Sequence, residues 1–404
     1  MKINRRRFIF GSVLVGGGAL FTYSATRPSR HRRANVDLAQ GEERYITSFI
    51  KIEPGNEITI YVPHSEMGQG IHTSLSMMAA DELDANWEEV NIEQAPAIDL
   101  FANGDLVRGF AGEFGVPDFL MGLVGASAFA VAEIGNLQTT GGSSSVRYTG
   151  EHGMRVAGAA ARKMLIEAAA VRWGVPVEGL STKLSHVQHN ATGRSFSYGE
   201  LAAEAALMEP PENPRLKDRS QFNIMGKAIS RNDIPAKVDG SAMYGLDAHS
   251  DDMLYAAIRM APVFGTKLVS ANTQPAFSVR GVEDVIELED SVAVVADSYW
   301  RAKKALELVE TEWEASENDS VSSTDIAARF DRELADSNGS KDKEVGDADA
   351  ALSSAADYIE ASYRVPYLAH AAMEPMNCTV HIKGDTADLW TSTQDALGIK
   401  GRVA

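Results

Sequence analysis

Ser65–Gly70 reads SEMGQG: a hydroxyl, a carboxylate, a thioether, an amide and two glycines, with no activated nucleophile and no set of metal ligands. A helix-like pattern follows it directly. The first N–H groups of a helix lack intrahelical partners and its dipole is positive there, so such a turn favours an anionic group. Glycine lets the backbone come close to that group, and the Gln69 amide can donate and accept at once. A second stretch, GGSSS at Gly141–Ser145, repeats the logic with three hydroxyls beside open backbone, again ahead of a helical pattern. Together the two loops predict a site for a large polar ligand carrying phosphates and heterocyclic rings. Neither matches the Walker loop or the spaced dinucleotide fingerprint.

Other residues invite chemistry less strongly. His64 and His72 flank SEMGQG and could touch a phosphate, although capping or surface roles serve equally well. His370 and Glu374 in LAHAAMEP could share a helix face as an acid–base pair. A structural pair beside the turn at Pro375 is the preferred reading. Cys378, the single cysteine, reads as a buried strand residue. One thiol makes no internal disulfide and no iron–sulfur cluster, so any electron relay beyond an organic cofactor belongs to another chain.

The elements that must position the loops follow from periodicity. YITSFIKIE and NEITIYVP alternate as strands around a Pro54-Gly55-Asn56 turn, and Ile58, Ile60 and Val62 share a face. After SEMGQG, Leu75, Met78, Ala79 and Leu83 recur at helical spacing, with Thr73 as the expected N-cap. EEVNIEQAP reads as the next strand. Residues 101–137, rich in Gly and Phe, show no assignable pattern. TTGGSSSVRYTGEHG reads as a polar loop leading into a helix whose stripe is Met154, Ala157, Ala161, Leu165 and Ala168. Gly174 and Pro176 stop that helix. The linker MEPPENPRLKDRS precedes a compact α+β segment of short strands around a helix at Tyr299–Glu307, with Trp300 and Trp313 expected in its core.

The 404 residues carry a net charge of −18, unevenly spread: residues 1–33 hold eight Lys/Arg and no acid. The remainder therefore sets 30 basic against 56 acidic side chains, which disfavours a nucleic-acid partner. NRRRFIF and the uncharged run Phe8–Ala25 resemble a twin-arginine export signal, with Arg5 and Arg6 as the pair. That route exports folded proteins, often because a cofactor is loaded first. It predicts a periplasmic protein, with the N-terminal segment either cleaved or kept as an anchor.

Several further stretches occur in order: SEMGQGIHTSLSMMAADELDANWEEVNIEQAP, GGSSSVR, AGAAARKMLIEAAAVRWGV, GKAISRNDIPAKVDGSAMYGLD, HAAMEPMNCTV and LWTSTQDALG. The set resembles the molybdopterin-binding large subunit of the xanthine dehydrogenase family. The resemblance is greatest to the branch of isoquinoline 1-oxidoreductase β-subunits and related aldehyde dehydrogenases, and it covers residues 45–404. It implies an α+β chain in which residues 1–33 are signal or anchor and residues 45–210 a first molybdopterin-binding portion. Residues 221–315 would be an α/β hammerhead domain, 316–345 a linker, and 346–404 the start of a second molybdopterin-binding domain. The implied cofactor is molybdopterin cytosine dinucleotide carrying molybdenum, bordered by Met67, Gly68, Gln69, Gly70, Gly142, Ser143, Ser144, Ser145 and Val146. Gln394 matches the glutamine that hydrogen-bonds a ligand of the metal.

The dithiolene sulfurs of the pterin hold the metal in this family, which accounts for the lack of a protein cage. The implied chemistry is hydroxylation of an N-heterocycle or oxidation of an aldehyde with water as oxygen source. Electrons would leave through iron–sulfur clusters on a separate small subunit, with a cytochrome open as a later acceptor. No catalytic residue is assigned within 1–404, because the family's catalytic glutamate is expected beyond Ala404, and the chain alone is expected to be inactive. The alternative from another class is an exported, non-catalytic binding or assembly protein that retains the fold.

Overall fold

The computed structural model describes residues 27–113, 121–336, 339–340, 343 and 345–404, and the arginine pair and apolar run of the N-terminus lie outside them. Among the described residues no helix is long and apolar enough to cross a membrane. The chain is α+β and divides into two compact units: residues 1–242 with 392–404, and residues 243–391.

In the first unit, helix α1 (Arg30–Asp37) is followed by strands β1 (Arg44–Thr47), β2 (Ile50–Ile52) and β3 (Ile58–Val62), then α2 (Ile71–Leu83) and β4 (Val90–Gln94). β1, β2 and β3 pair antiparallel, and β4 returns parallel to β3 after the α2 crossover. SEMGQG thus leaves the carboxyl end of β3 in a parallel pair, the position where open α/β sheets build ligand crevices. All five residues of β3 are buried, so the strand is covered on both faces.

The remainder of the unit is mainly helical. α3 (Gly104–Glu113) and α4 (Met121–Ile134) fill the stretch in which no periodicity could be read. Ser145–Met154 forms a wide π-helical segment that runs without a break into α5 (Arg155–Trp173). The polar loop expected over 139–153 is therefore loop only to Gly142. Its glycines explain the difference. A Cβ at Gly150 would meet Met78 Sδ at 2.6 Å and one at Gly153 would meet Asp105 Oδ2 at 2.6 Å, so these polar-looking residues are packed helix. Likewise, a Cβ at Gly158 would lie 2.2 Å from the Ala79 carbonyl, so α2 and α5 approach closely along this face. The three-stranded meander β5 (Leu180–Lys183), β6 (His186–His189) and β7 (Ser195–Ser197) leads into α6 (Tyr198–Ala205), which begins with a capping box between Ser197 and Glu200.

Two buried acids on α2 fasten the linker that follows. Asp81 accepts from the backbone N–H groups of Asn223, Ile224 and Met225 and from Lys217 Nζ, while Glu82 takes Arg155 and the Lys217 N–H. Burial alone would raise the Asp81 carboxyl, but the N–H groups of Met225, Ile224 and Asn223 outweigh it and hold the group below its ordinary value.

The basic residues after the export-like run also belong to this folded body. Arg27 Nη1 lies 2.7 Å from Glu133, Arg33 Nη2 lies 2.6 Å from Asp99, and Arg30 donates to the Ala102 carbonyl with its guanidinium 4.5 Å above the Phe129 ring. Residues 27–33, expected with the signal, are welded to α4 and the β4–α3 connection instead. Ala34 is fully buried in the core beside them.

The second unit contains the antiparallel sheet β10–β11–β8 (Val282–Glu287, Ser291–Ala296, Tyr255–Met260) and the pair β12–β9 (Glu310–Trp313, Leu268–Asn272). Helix α7 (Tyr299–Leu306) buries Ala302, Ala305 and Leu306 against Val292, Val294 and Ala296. Trp300 is 65% exposed, because the α7 face that meets the sheet is carried by small residues instead. Residues 355–377 form no helix, so His370 and Glu374 share no helix face, and Glu374 pairs with Asn377. Cys378 opens the hairpin strand Cys378–Lys383 and is exposed, since this two-stranded hairpin has a solvent face where a buried strand was expected.

Candidate functional site

The two glycine loops and the Gln394 segment meet at Thr140. Its hydroxyl accepts from the Ser65 backbone N–H at 2.7 Å, and its own N–H donates to the Gln394 carbonyl at 2.6 Å. Thr139 and Asp395 add an antiparallel bridge, and the Asp395 carboxylate accepts from the Gln138 N–H at 3.0 Å while capping the terminal helix Ala396–Val403 at Gly398. Stretches near positions 65, 140 and 394 therefore share one locus, tied by backbone and side-chain hydrogen bonds within one compact unit.

His64 supports this locus from below. It is fully buried, its Nε2 lies 2.9 Å from Thr149 Oγ1 on the π-helical segment, and Asn103 Nδ2 bridges toward its other nitrogen while donating to the Thr139 carbonyl. Burial pushes the imidazole down to about 4, so it is neutral and acts as a spacer between β3 and the π-helical segment. His72 turns away from the loop, with Nε2 3.0 Å from both the His64 carbonyl and Gln94 Oε1.

The expected N-cap is different. α2 starts at Ile71, with Gly70 in the left-handed region at φ 78° as N-cap, and the Thr73 hydroxyl pairs with Asn232. Glu66 does the capping. One carboxylate oxygen accepts from the Gly68 and Gly70 N–H groups at 2.8 and 2.9 Å, and the other takes the His72 N–H at 3.2 Å. The Gln69 amide folds back on its own loop, accepting from the Met67 N–H and donating to the Ser65 carbonyl. The N–H groups of Gly68, Gly70 and His72 and the Gln69 side-chain amide, expected to be free for an anionic ligand, are already used.

The loop surfaces still suit a polar ligand. A Cβ at Gly68 or at Gly142 would meet nothing within 4 Å, so open space lies over both turns. Met67, Gly68, Gln69, Gly142, Ser143 and Gln394 are exposed, and Ser144 is half-buried. Ser145 is buried and locks the loop, donating to the Gly141 carbonyl and accepting from the Gly141 N–H at 2.8 Å. Val146 packs against the core. Beneath the junction, Asn103 Oδ1 and Gln138 Oε1 are buried acceptors without a partner. The open faces of the two loops present backbone, amide and hydroxyl groups, while the charged Glu66 and Arg231 are engaged with the SEMGQG backbone. Such groups fit a pterin's rings and exocyclic groups. Sequence reasoning missed Thr140, although it stands in the quoted TTGG run, and assigned no role to Arg231 in GKAISRNDIP.

Residues 17–105 match a model of a molybdopterin cofactor-binding domain, and residues 331–404 match a second one. The first match contains SEMGQG and the second contains Gln394. Over 388 residues the chain is 29% identical to the β-subunit of isoquinoline 1-oxidoreductase from Brevundimonas diminuta, covering 86% of this chain and 46% of that protein. It is 28% identical over 412 residues to a membrane-bound aldehyde dehydrogenase (pyrroloquinoline-quinone) of Gluconacetobacter polyoxogenes, covering 97% and 48%. One of the nicotinate dehydrogenase subunits of Pseudomonas putida is 25% identical over 378 residues, covering 90% and 28%. The two matched domains and these relatives support a molybdopterin-binding subunit of the xanthine dehydrogenase family. The chain spans about half the length, or less, of these curated relatives. The junction at Thr140 joins a segment of one matched domain to a segment of the other.

Proposed function

We propose that this chain forms part of the cofactor pocket in the molybdenum subunit of an exported oxidoreductase. The enzyme would hydroxylate an N-heterocycle or oxidise an aldehyde with oxygen from water. The observation that carries the reading is the meeting of SEMGQG, GGSSS and the Gln394 segment at Thr140. Molybdopterin cytosine dinucleotide, when bound, would supply a redox-active metal that takes up the substrate's electrons. Met67 and Gly68 would border it from one side and Gly142, Ser143 and Ser144 from the other, with the Gln394 amide at the surface between them. Neutral His64 would keep the floor of the pocket free of a competing charge.

Electrons would pass to a small iron–sulfur subunit and onward to an acceptor such as a cytochrome. The twin-arginine-like start would direct the loaded protein to the periplasm, cleaved or still tethered by its apolar run.

The test is metal and pterin analysis of the whole gene product made in a host that synthesises the cofactor. Molybdenum with a pterin cytosine dinucleotide, near one per chain, is expected. A product free of both would overturn the reading. Replacing Arg5 and Arg6 by lysine should retain the protein in the cytoplasm; unchanged export would remove the signal assignment.

A further inference from the structure

The loop that faces the proposed cofactor is held by two groups to which sequence reasoning assigned no task. Glu66 lies just ahead of α2 with its side chain 10% exposed, and its two oxygens together take the N–H groups of Gly68, Gly70 and His72. Three amides converging on one carboxylate make the interaction that a bound phosphate would make at a helix start. Arg231 closes the loop from outside: one guanidinium nitrogen donates to the Gly68 carbonyl and the other lies 3.5 Å from Glu66. Asp233 in turn orients Arg231 through Nε at 2.9 Å and through Nη2, and Lys237 grips Asp233. One residue along, Asn232 exchanges hydrogen bonds with Thr73 inside α2, its N–H donating at 3.1 Å and its side-chain oxygen accepting at 2.8 Å. The Arg231-Asn232-Asp233 stretch therefore clasps both the loop and the helix it feeds.

We propose that Glu66 is the resident anion of this helix start and that Arg231 is its latch, both acting as positioning residues for the cofactor loop. The loop then meets the cofactor as a preformed neutral surface, through Met67 and the open side of Gly68. The anionic tail of the cofactor is received away from the α2 N-terminus. This deepens the proposed function and rests on it for the identity of the ligand, but not for the state of the loop.

The experiment is residue-resolved amide exchange on this chain, with and without inorganic phosphate, for the unmodified protein, Glu66→Ala, Glu66→Gln and Arg231→Gln. In Glu66→Ala the Gly68, Gly70 and His72 amides should exchange about ten-fold faster or more, as for backbone donors released from a fixed acceptor. The Asn223–Met225 amides held by Asp81 should not change, which certifies the fold. Millimolar phosphate should slow the three amides in Glu66→Ala and leave the unmodified protein unaffected. Glu66→Gln, which keeps an acceptor without the charge, should fall between. Arg231→Gln should speed exchange in the loop without opening it to phosphate. Unchanged exchange in Glu66→Ala, or phosphate protecting the unmodified loop, overturns the proposal. Absence of molybdenum from the whole gene product would instead remove the cofactor reading and leave the exchange results standing.

Discussion

Thr140→Val is the most informative single change. Valine matches threonine in size, so it removes one acceptor and one donor and little else. Thr140 is 2% exposed, and the Ser65 N–H, which gives its hydrogen to the Thr140 hydroxyl at 2.7 Å, would be left without its partner. An unsatisfied buried donor costs about 1–3 kcal/mol, and about 2 kcal/mol lowers the melting temperature of a unit of this size by about 4–8 °C. Thr140→Ser is the control. It keeps the hydroxyl and loses one methyl, worth about 1 kcal/mol, or roughly half that shift. The assay is calorimetry of the first unit's transition, with exchange of the Ser65 amide as the local readout. Faster Ser65 exchange in Thr140→Val alone is expected. If the valine variant were as stable as the serine variant or more so, the hydroxyl would be a buried cost and the junction of the three loops would be wrong.

Asp81→Ala should cost about 3–5 kcal/mol, because it strands Lys217 and three backbone donors in a buried setting. Limited proteolysis should then cut within the 217–225 segment, while Asp81→Asn should show a smaller effect. Asp105 is buried, and burial pushes its carboxyl up to about 6 against an ordinary 3.8, with Arg30 and Arg108 opposing. The folded state therefore binds this proton more tightly than the unfolded chain. Stability at this site rises as pH falls from about 6 toward 3.8, and the ionised form costs about 3 kcal/mol above that window. Asp105→Asn should raise the melting temperature at pH 7 and flatten the profile between pH 4 and 6; a lower melting temperature at pH 7 would show that Arg30 and Arg108 dominate. Replacing Arg27, Arg30 and Arg33 together by alanine should destabilise the first unit by about 3–5 kcal/mol in calorimetry, since Glu133, 8% exposed, loses its arginines.

The strands around SEMGQG were legible because their period is short and their turn residues local. Ile58, Ile60 and Val62 lie in β3, and the helix at 71–83 follows where its apolar spacing placed it. α4 was not legible, since it is apolar nearly throughout and shows no amphipathic stripe, while the short α3 begins at a glycine, Gly104, that serves a close contact with Phe129. The same physics hid the π-helical segment, whose glycines look like loop until Met78 and Asp105 are seen to fill the space beside them.

The candidate site shows the sharper limit. Composition and order identified loops able to hold a polar cofactor, but who occupies a helix start is settled by geometry. Glu66 stands four residues ahead of the N-cap, outside the reach of the usual Ncap–N3 capping box. Only left-handed Gly68 and Gly70, at φ 97° and 78°, fold the chain back far enough for its carboxylate to meet their amides. The glycines that seemed to open the backbone to a ligand instead close it on an internal acid. A loop satisfied from within can offer a fixed surface without first reorganising, and that is the property a pocket needs when the reactive metal is brought in by its own ligand.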